Sequence, residues 1–206
     1  MAQTANQYLD ADELLHLALE ASRQDKHEEA ITYLKRALAL APEDARMHYL
    51  LGAEHAQIGL YDRAVEEMQQ AVKLNPALET AHFQLGLLHI TSGRVDAAAE
   101  AWKPLDRLPA EHPLLLFKTG LLHLAKDEFS DCEQCLRRGI AANKFNAALN
   151  NDMARVLKEV EGRIPPPGTP PDAKTPATPK PTTPKHVLLS AYRRNRPDDK
   201  DGEKDN

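Results

Sequence analysis

Apolar residues recur at helical spacing through most of the chain, and short polar turns interrupt them. The clearest stretch begins RMHYLLGAEHAQIG and continues YDRAVEEMQQAVKLNP. Each half places its apolar residues on one face of a helix, which predicts two amphipathic helices in succession. Gly59 stands where a left-handed residue ends the first helix. Asn75-Pro76 ends the second, because the residue before a proline is disfavoured in the α region.

The same pattern repeats every 34 residues along the sequence. Several residue types keep this period, which makes two unrelated hairpins with coincidental spacing a poor alternative. Small residues permit two helices to approach closely, and larger ones fill the space around the contact. The positions that keep the period are Leu17, Leu51 and Leu85; Ala30, Ala64 and Ala98; Pro42 and Pro76; Gly52, Gly86 and Gly120; Gly59 and Gly93.

On these residues the sequence resembles the tetratricopeptide repeat (TPR) family, whose unit is a 34-residue helix-turn-helix. The resemblance implies an all-α fold, a right-handed TPR superhelix of about four repeats. The predicted repeats are 11–44, 45–78, 79–112 and 113–145, with a capping helix at 146–161, all within one domain, 1–161. Pro104 departs from the pattern and predicts a kink or an early end of that helix. Cys132 takes an alanine place in the fourth repeat.

The resemblance also implies a concave groove lined by the first helix of each repeat. The residues at the groove positions are almost all apolar, which predicts an apolar trough: Leu15, Leu19, Tyr49, Ala53, Ala56, Phe83, Leu87, Ile90, Phe117, Leu121 and Leu124. The basic clamp with which chaperone-binding members hold a terminal carboxylate is absent from these positions. A large exposed apolar patch usually marks an interface. The alternative is that some of these side chains face neighbouring helices and form core.

The C-terminal part of the chain has a different composition. Ten of the 15 prolines lie after residue 161, which predicts a disordered, semi-extended linker at 162–185. The tail 186–206 contains a short apolar and basic motif: Val187, Leu188, Leu189, Tyr192, Arg193 and Arg194. This motif has three candidate sites, namely the chain's own groove, a neighbour's groove or another protein. The remaining alternative is a disordered tail with no docking role.

Charge and hydropathy exclude several functional classes. The net charge is −5, which argues against a general nucleic-acid binder. No apolar run is long enough for a membrane span, and the opening MAQTANQYLDADE lacks a secretory signal pattern. Two cysteines make a disulfide framework improbable. We therefore expect a cytoplasmic protein without membrane insertion.

Some residues suggest chemistry. His55, His89 and His123 recur with the repeat, as do His48 and His82. Equivalent residues of successive repeats lie about 10 Å apart, whereas zinc needs nitrogens about 2.1 Å from one centre. We therefore expect packing roles, with no metal and no cofactor.

Cys132 and Cys135 form a lone C-x-x-C inside a predicted helix, where a second pair would be needed for zinc. Packing is again the expected role for both. No nucleotide, hydrolase or metalloprotease motif appears, so we expect no enzyme activity.

These observations predict a non-catalytic adaptor or scaffold that binds an apolar or amphipathic segment of a protein partner in the groove. The alternative is a secretion-type chaperone that masks a hydrophobic export substrate, since small acidic TPR proteins of that kind exist. The oligomeric state is not predicted by the sequence.

Overall fold

A computed structural model of the chain describes residues 9–164, and this part is entirely helical, with no strand. The tail motif at 187–194 lies outside the described residues. The helices are α1 (Ala11–Arg23), α2 (His27–Leu40), α3 (Ala45–Gln57), α4 (Tyr61–Leu74), α5 (Glu79–Thr91), α6 (Val95–Trp102), α7 (Pro113–Leu124), α8 (Phe129–Ala142) and α9 (Ala147–Glu161). The prediction of an all-α fold is confirmed for these residues.

The helices form two compact units, one ending at Leu88 and the other beginning at His89. In the first unit, α1 packs on α2 and α3 packs on α4, and α2 also packs on α3. In the second unit, α7 packs on α8, and α8 packs on α9. Successive helices therefore form antiparallel hairpins with short turns, which is the arrangement that the 34-residue period predicts.

Small residues bring the two helices of a hairpin close together in both units. A Cβ atom added at Gly52 of α3 would lie 3.1 Å from the carbonyl oxygen of Ala64 in α4. In the second unit, a Cβ at Gly120 of α7 would lie 3.1 Å from Leu136 of α8. Both distances are shorter than ordinary contacts, so a larger residue at either position would require the neighbouring atoms to shift by a few tenths of an ångström. The predicted role of these glycines in close packing is confirmed.

Four turns inside the hairpins contain a residue with positive φ, and these residues follow the 34-residue period. Gly59 and Gly93 have φ of 79° and 76°, and Asp25 and Asp127 have φ of 57° and 59°. Glycine adopts this conformation without steric cost, and aspartate is among the residues that tolerate it. Gly59 therefore ends α3 as predicted. The two aspartates fill the same conformational role in the first and fourth repeats.

Pro104 interrupts the second helix of the third repeat, as expected. The α-helix α6 stops at Trp102, and the chain continues as a 3₁₀ helix over Lys103–Arg107. The buried Lys118 of α7 supports this break. Its ammonium group donates to the carbonyl oxygen of Trp102 at 3.3 Å and to the carboxylate of Asp106 at 2.5 Å. The buried cation thus bonds the carbonyl oxygen at the end of α6 and a carboxylate of the 3₁₀ segment, while the carbonyl oxygen of Glu100, to which Pro104 cannot donate, accepts from the N–H of Lys103.

Gly139 of α8 makes room for an aromatic ring from α7. A Cβ added at Gly139 would lie 2.5 Å from Cε1 of Phe117, whose side chain is completely buried. We expect Gly139→Ala to destabilise the protein by about 1–3 kcal/mol through overpacking. This exceeds the gain of up to about 1 kcal/mol in helix propensity. The measurement is the urea midpoint of unfolding.

Gly162→Ala provides the control, because the nearest atom to a Cβ at Gly162 is 3.6 Å away. This substitution is expected to change stability by less than about 0.5 kcal/mol. Replacing the aromatic ring with a smaller side chain in Phe117→Leu should reduce the loss of stability caused by Gly139→Ala. Equal urea midpoints for the two glycine variants would contradict the packing explanation.

Candidate protein-binding surface

The predicted groove residues divide sharply by burial. Leu15, Tyr49 and Ala53 are partly exposed, and Leu19 is 38% exposed. The remaining seven are buried: Ala56, Phe83, Leu87, Ile90, Phe117, Leu121 and Leu124. These seven side chains offer almost no surface to a partner in this structure. Their predicted partner contacts stay a prediction, and only the exposed members enter the argument below.

Phe117 illustrates why position within the repeat does not ensure exposure. Its ring lies against Gly139 of α8, in the space that a methyl group would occupy if residue 139 were alanine. Phe117 and Tyr49 stand at the same position of their repeats, but Tyr49 stays partly exposed. The difference in burial between Phe117 and Tyr49 has a simple physical reason: an aromatic residue turns inward where its own hairpin leaves room for it.

The exposed members form what we call the α1–α3 strip: Leu15 and Leu19 of α1 with Tyr49 and Ala53 of α3. Each pair is four residues apart and therefore lies on one side of its helix. Leu15 packs partly against the core formed by Leu14, Leu34 and other buried residues. The strip thus combines accessible apolar surface with a fixed support.

A buried carboxylate joins the two helices that carry the strip. Glu54 of α3 is 5% exposed and accepts a hydrogen bond of 2.5 Å from the hydroxyl of Ser22 in α1. Its other oxygen lies 2.8 Å from Nδ1 of His27, at the start of α2. An ionised carboxylate only accepts, so a hydrogen bond to it at this position requires the proton of His27 on Nδ1. We call these three residues the Glu54 clamp.

Tyr49 is fixed by its hydroxyl as well as by its ring. The hydroxyl forms a hydrogen bond with Thr80 of α5, while burial raises the pKa of the Tyr49 phenol. A tyrosine whose polar end is bonded and whose ring is partly exposed loses little conformational entropy when a partner covers it. The strip therefore contains one aromatic residue that is already in place for contact.

Histidines of the repeat have different environments. His55 and His89 are buried, and Nδ1 of each lacks a hydrogen-bond partner. Burial lowers the pKa of both rings. His48 instead contacts Glu67 at 2.6 Å and the carbonyl oxygen of Pro42 at 3.0 Å. Most of these rings thus pack or bridge turns, in agreement with the expected packing role.

One group of three potential metal ligands occurs among residues 9–164. Nδ1 of His123 lies 2.5 Å from Glu128, and a carboxylate oxygen of Asp131 completes a set of atoms within 4.8 Å of one another. Glu128 and Asp131 are exposed. The hydrogen-bonding contact between His123 and Glu128 joins two of these three side chains directly.

The two cysteines are buried free thiols in α8. Burial and the neighbouring Cys135 raise the pKa of Cys132 to about 12, and burial also raises the pKa of Cys135. Reactive cysteines have a lowered thiol pKa and are accessible, so these two behave as packing residues.

Sequence reasoning missed the Glu54 clamp and Lys118. In both cases a charged residue stands within a helix at a place that the fold buries, and its partners are distant in sequence. The weak signal was the ionisable residue inside an otherwise apolar stretch, as in LLGAEHA around Glu54. Only the fold reveals which partner such a residue finds.

Removing the clamp should destabilise the first unit. We expect Glu54→Ala to lower the free energy of unfolding by about 3 kcal/mol, because two hydrogen bonds to a charged group are lost. Glu54→Gln is the matched variant and should cost less, because the amide has nearly the same shape and still accepts from Ser22. Denaturant unfolding of both variants measures the difference. Equal losses would contradict the clamp.

Stability should fall at acid pH because of His55. The lowered pKa means that the folded state favours the neutral ring, while the unfolded ring has a pKa near 6.5. The contribution of the neutral His55 ring to the free energy of unfolding is therefore fully present above about pH 6.5. It is lost as the pH falls towards the folded pKa, by at most about 1.4 kcal/mol per pH unit.

The measurement for His55 is the free energy of unfolding between pH 7.5 and 5.5 in wild type and in His55→Phe. The variant lacks the titrating ring and should show a smaller loss on acidification. An identical loss in both proteins would show that His55 does not contribute.

Comparison with known proteins agrees with the geometry. The tetratricopeptide repeat model matches residues 15–79 and 53–113. A search of curated proteins found no sequence with significant similarity. None of the described helices has the length and apolar character needed to span a membrane.

Among solved structures, MamA of Desulfovibrio magneticus RS-1 is 14% identical, with a TM-score of 0.57, over 90% of this chain and 92% of that one. Cut9, in the anaphase-promoting complex hetero-tetramer Cut9–Hcn1, is 18% identical with a TM-score of 0.68. Yeast Tom70 is 19% identical with a TM-score of 0.53.

The alignments to Cut9–Hcn1 and Tom70 cover 75% and 74% of this chain, but only 30% and 32% of those chains. Similarities at these identities concern the fold. Together with the 34-residue period, the paired helices and the small-residue contacts, they lead to one conclusion: residues 15–113, which the family model matches, belong to the tetratricopeptide repeat family.

Proposed function

We propose that the chain is a non-catalytic adaptor or scaffold that binds an apolar or amphipathic segment of a partner protein on the α1–α3 strip. The observation that carries the proposal is the strip itself, two apolar pairs at equivalent repeat positions with exposed surface. An amphipathic helix presents apolar residues at positions i, i+3, i+4 and i+7, which suits apolar pairs spaced one helical turn apart.

The charge around the strip favours a partner with basic flanks. Asp12 of α1 is exposed and lies on the same side of the helix as Leu15 and Leu19, and Glu20 is exposed but already paired with Arg23. Electrostatic complementarity of this kind favours the correct partner and its orientation more than it adds to affinity. The proposed ligand is therefore an amphipathic segment whose polar residues are mainly lysine and arginine.

The comparisons support a role in assembly rather than a particular partner. Cut9 is named as part of a hetero-tetramer with Hcn1, and TPR proteins as a class bind other proteins. The proposal places the protein in the cytoplasm, supported by two cysteines that remain free thiols. The tail motif, Val187–Arg194, is a second proposed contact, for which the sequence alone provides the argument.

A photoreactive phenylalanine at position 19 tests where the partner binds. The matched control carries the same residue at position 60, since Leu60 is 43% exposed but lies in the turn before α4, outside the strip. The proposal requires a partner that crosslinks from position 19 and not from position 60. The crosslinked peptide should be amphipathic with basic flanks. Equal crosslinking from both positions would overturn the proposed site.

The corresponding substitution predicts a loss of affinity. Leu19→Asp places a charge on the strip and should weaken binding of the crosslinked peptide at least about tenfold, or about 1.4 kcal/mol. Leu60→Asp should leave the affinity unchanged. Isothermal titration calorimetry measures both, and circular dichroism checks that both variants keep their helix content.

The chaperone alternative makes a different prediction for the same partner. A chaperone masks a segment that otherwise aggregates, so co-expression should convert an insoluble partner to a soluble complex. An adaptor instead binds a partner that is already soluble and folded. Fractionation of the partner with and without this chain therefore separates the two functions.

A further inference from the structure

Phe145 is the most exposed large apolar residue of the described chain. Its side chain is 96% exposed, in the turn between α8 and α9. One repeat period earlier the residue is Glu111, and two periods earlier it is Ala77. Single exposed apolar residues are common on protein surfaces. Phe145 therefore requires further evidence before a role can be assigned.

The turn that carries Phe145 is held by an asparagine network. The buried side chain of Asn143 donates to the carbonyl oxygen of Asn146 at 2.9 Å and to the side chain of Asn150 at 2.8 Å. Its own oxygen accepts from the backbone N–H groups of Phe145 at 3.3 Å and Asn146 at 3.2 Å. The side chain of Asn146 then caps α9 by accepting from Leu149 at 2.9 Å.

Such a network makes Phe145 different from an aromatic residue on a loose loop. The backbone on both sides of the ring is fixed before any contact forms. Contacts made from a preorganised backbone lose less entropy on binding. The turn therefore has the properties of an anchor, a large apolar side chain presented on rigid support.

A complementary cleft lies in the other unit of the chain. It has a volume of about 780 Å³ and lies between the α2–α3 turn and the end of α4. Pro42, Ala45 and Leu74 provide apolar lining, and Leu74 is 37% exposed. Leu40, which precedes the lining residue Ala41, is 59% exposed. The cleft is shallow and largely open to solvent, so an aromatic ring would lie against its apolar rim rather than enter an enclosed cavity.

The charges beside the two features are opposite. Lys144 is exposed next to Phe145, and Glu43 is exposed in the lining of the cleft. The other acidic residue of the lining, Asp44, is paired with Arg46 at 2.7 Å. Glu43 is therefore the carboxylate that suits an incoming Lys144.

We propose that the Phe145 turn of one copy binds the Glu43–Leu74 cleft of a second copy. The contact joins two different surfaces, so each added copy still presents one turn and one cleft. Heterologous contacts of this kind produce rings or open chains rather than closed symmetric dimers. A contact based on one aromatic anchor is small, so the association is weak and increases with concentration. This inference does not depend on the α1–α3 strip.

Analytical ultracentrifugation of the full chain tests the self-association. The weight-average mass of the wild type should rise between about 10 μM and 1 mM, the range expected for a weak contact. Phe145→Ser and Leu74→Asp should each raise the dissociation constant at least tenfold. Leu60→Asp, which changes an exposed leucine outside the cleft, should associate as the wild type does.

Mixing the two variants gives the decisive result. Phe145→Ser keeps an intact cleft and Leu74→Asp keeps an intact turn, so an equimolar mixture should form a two-chain complex and nothing larger. Charge reversal provides a second measurement. Lys144→Glu should weaken the association of the wild type, and adding Glu43→Lys in the same chain should restore it.

Three results would overturn the proposal. The first is a wild type that stays monomeric up to about 1 mM. The second is a mixture of the two variants that remains monomeric. The third is self-association that disappears when residues 165–206 are deleted but persists in Phe145→Ser, because that result would make the tail the occupant of the cleft. Circular dichroism confirms the helix content of every variant, and the high exposure of residue 145 makes its replacement compatible with folding.

Discussion

The close approach of the two helices within a hairpin is the contact on which the described structure depends. At Gly52 and Gly120 atoms of the facing helix lie so near that an added methyl group would make tighter than ordinary contacts with them. The facing residues Ala64 and Cys132 are completely buried. Because the helices of these two hairpins approach closely at this contact, the large residues around it, such as Met68 and Leu136, have a defined space to fill. Small residues therefore recur every 34 residues because the helices pack closely at these positions.

Departures from the repeat are accompanied by local compensation. Pro104 ends α6, and the buried Lys118 then bonds the carbonyl of Trp102 and the carboxylate of Asp106. Gly139 replaces the usual alanine, and the ring of Phe117 fills the space. In each case a side chain of α7 contacts the place where another helix departs from the repeat pattern. The second unit thus stays packed although residues 104 and 139 depart from the repeat pattern, because side chains of α7 make different contacts at these two places.

The fold was predictable from sequence to a large extent, and the surface was not. Periodicity locates the helices, the early end at Trp102 and the left-handed residue Gly59, since all three follow from local backbone preferences. The equivalent conformations at Asp25 and Asp127 follow the same period, although no glycine marks them. Burial at the groove positions depends on contacts distant in sequence. Leu15 and Phe117 share a repeat position, yet one is partly exposed and the other completely buried.

This difference separates what the repeat specifies from what a partner can recognise. A repeat position determines the direction in which a side chain leaves its helix, and that direction is nearly the same in every copy. Whether the side chain reaches solvent depends on the neighbouring surface, which varies with single residues such as Gly139. The Glu54 clamp has the same property, because its bonds to Ser22 and His27 depend on a glutamate whose counterpart one period later is Leu88. Residues that differ from the repeat pattern therefore determine which partner such a chain recognises. Residues that follow the pattern form the rigid support on which the others are presented.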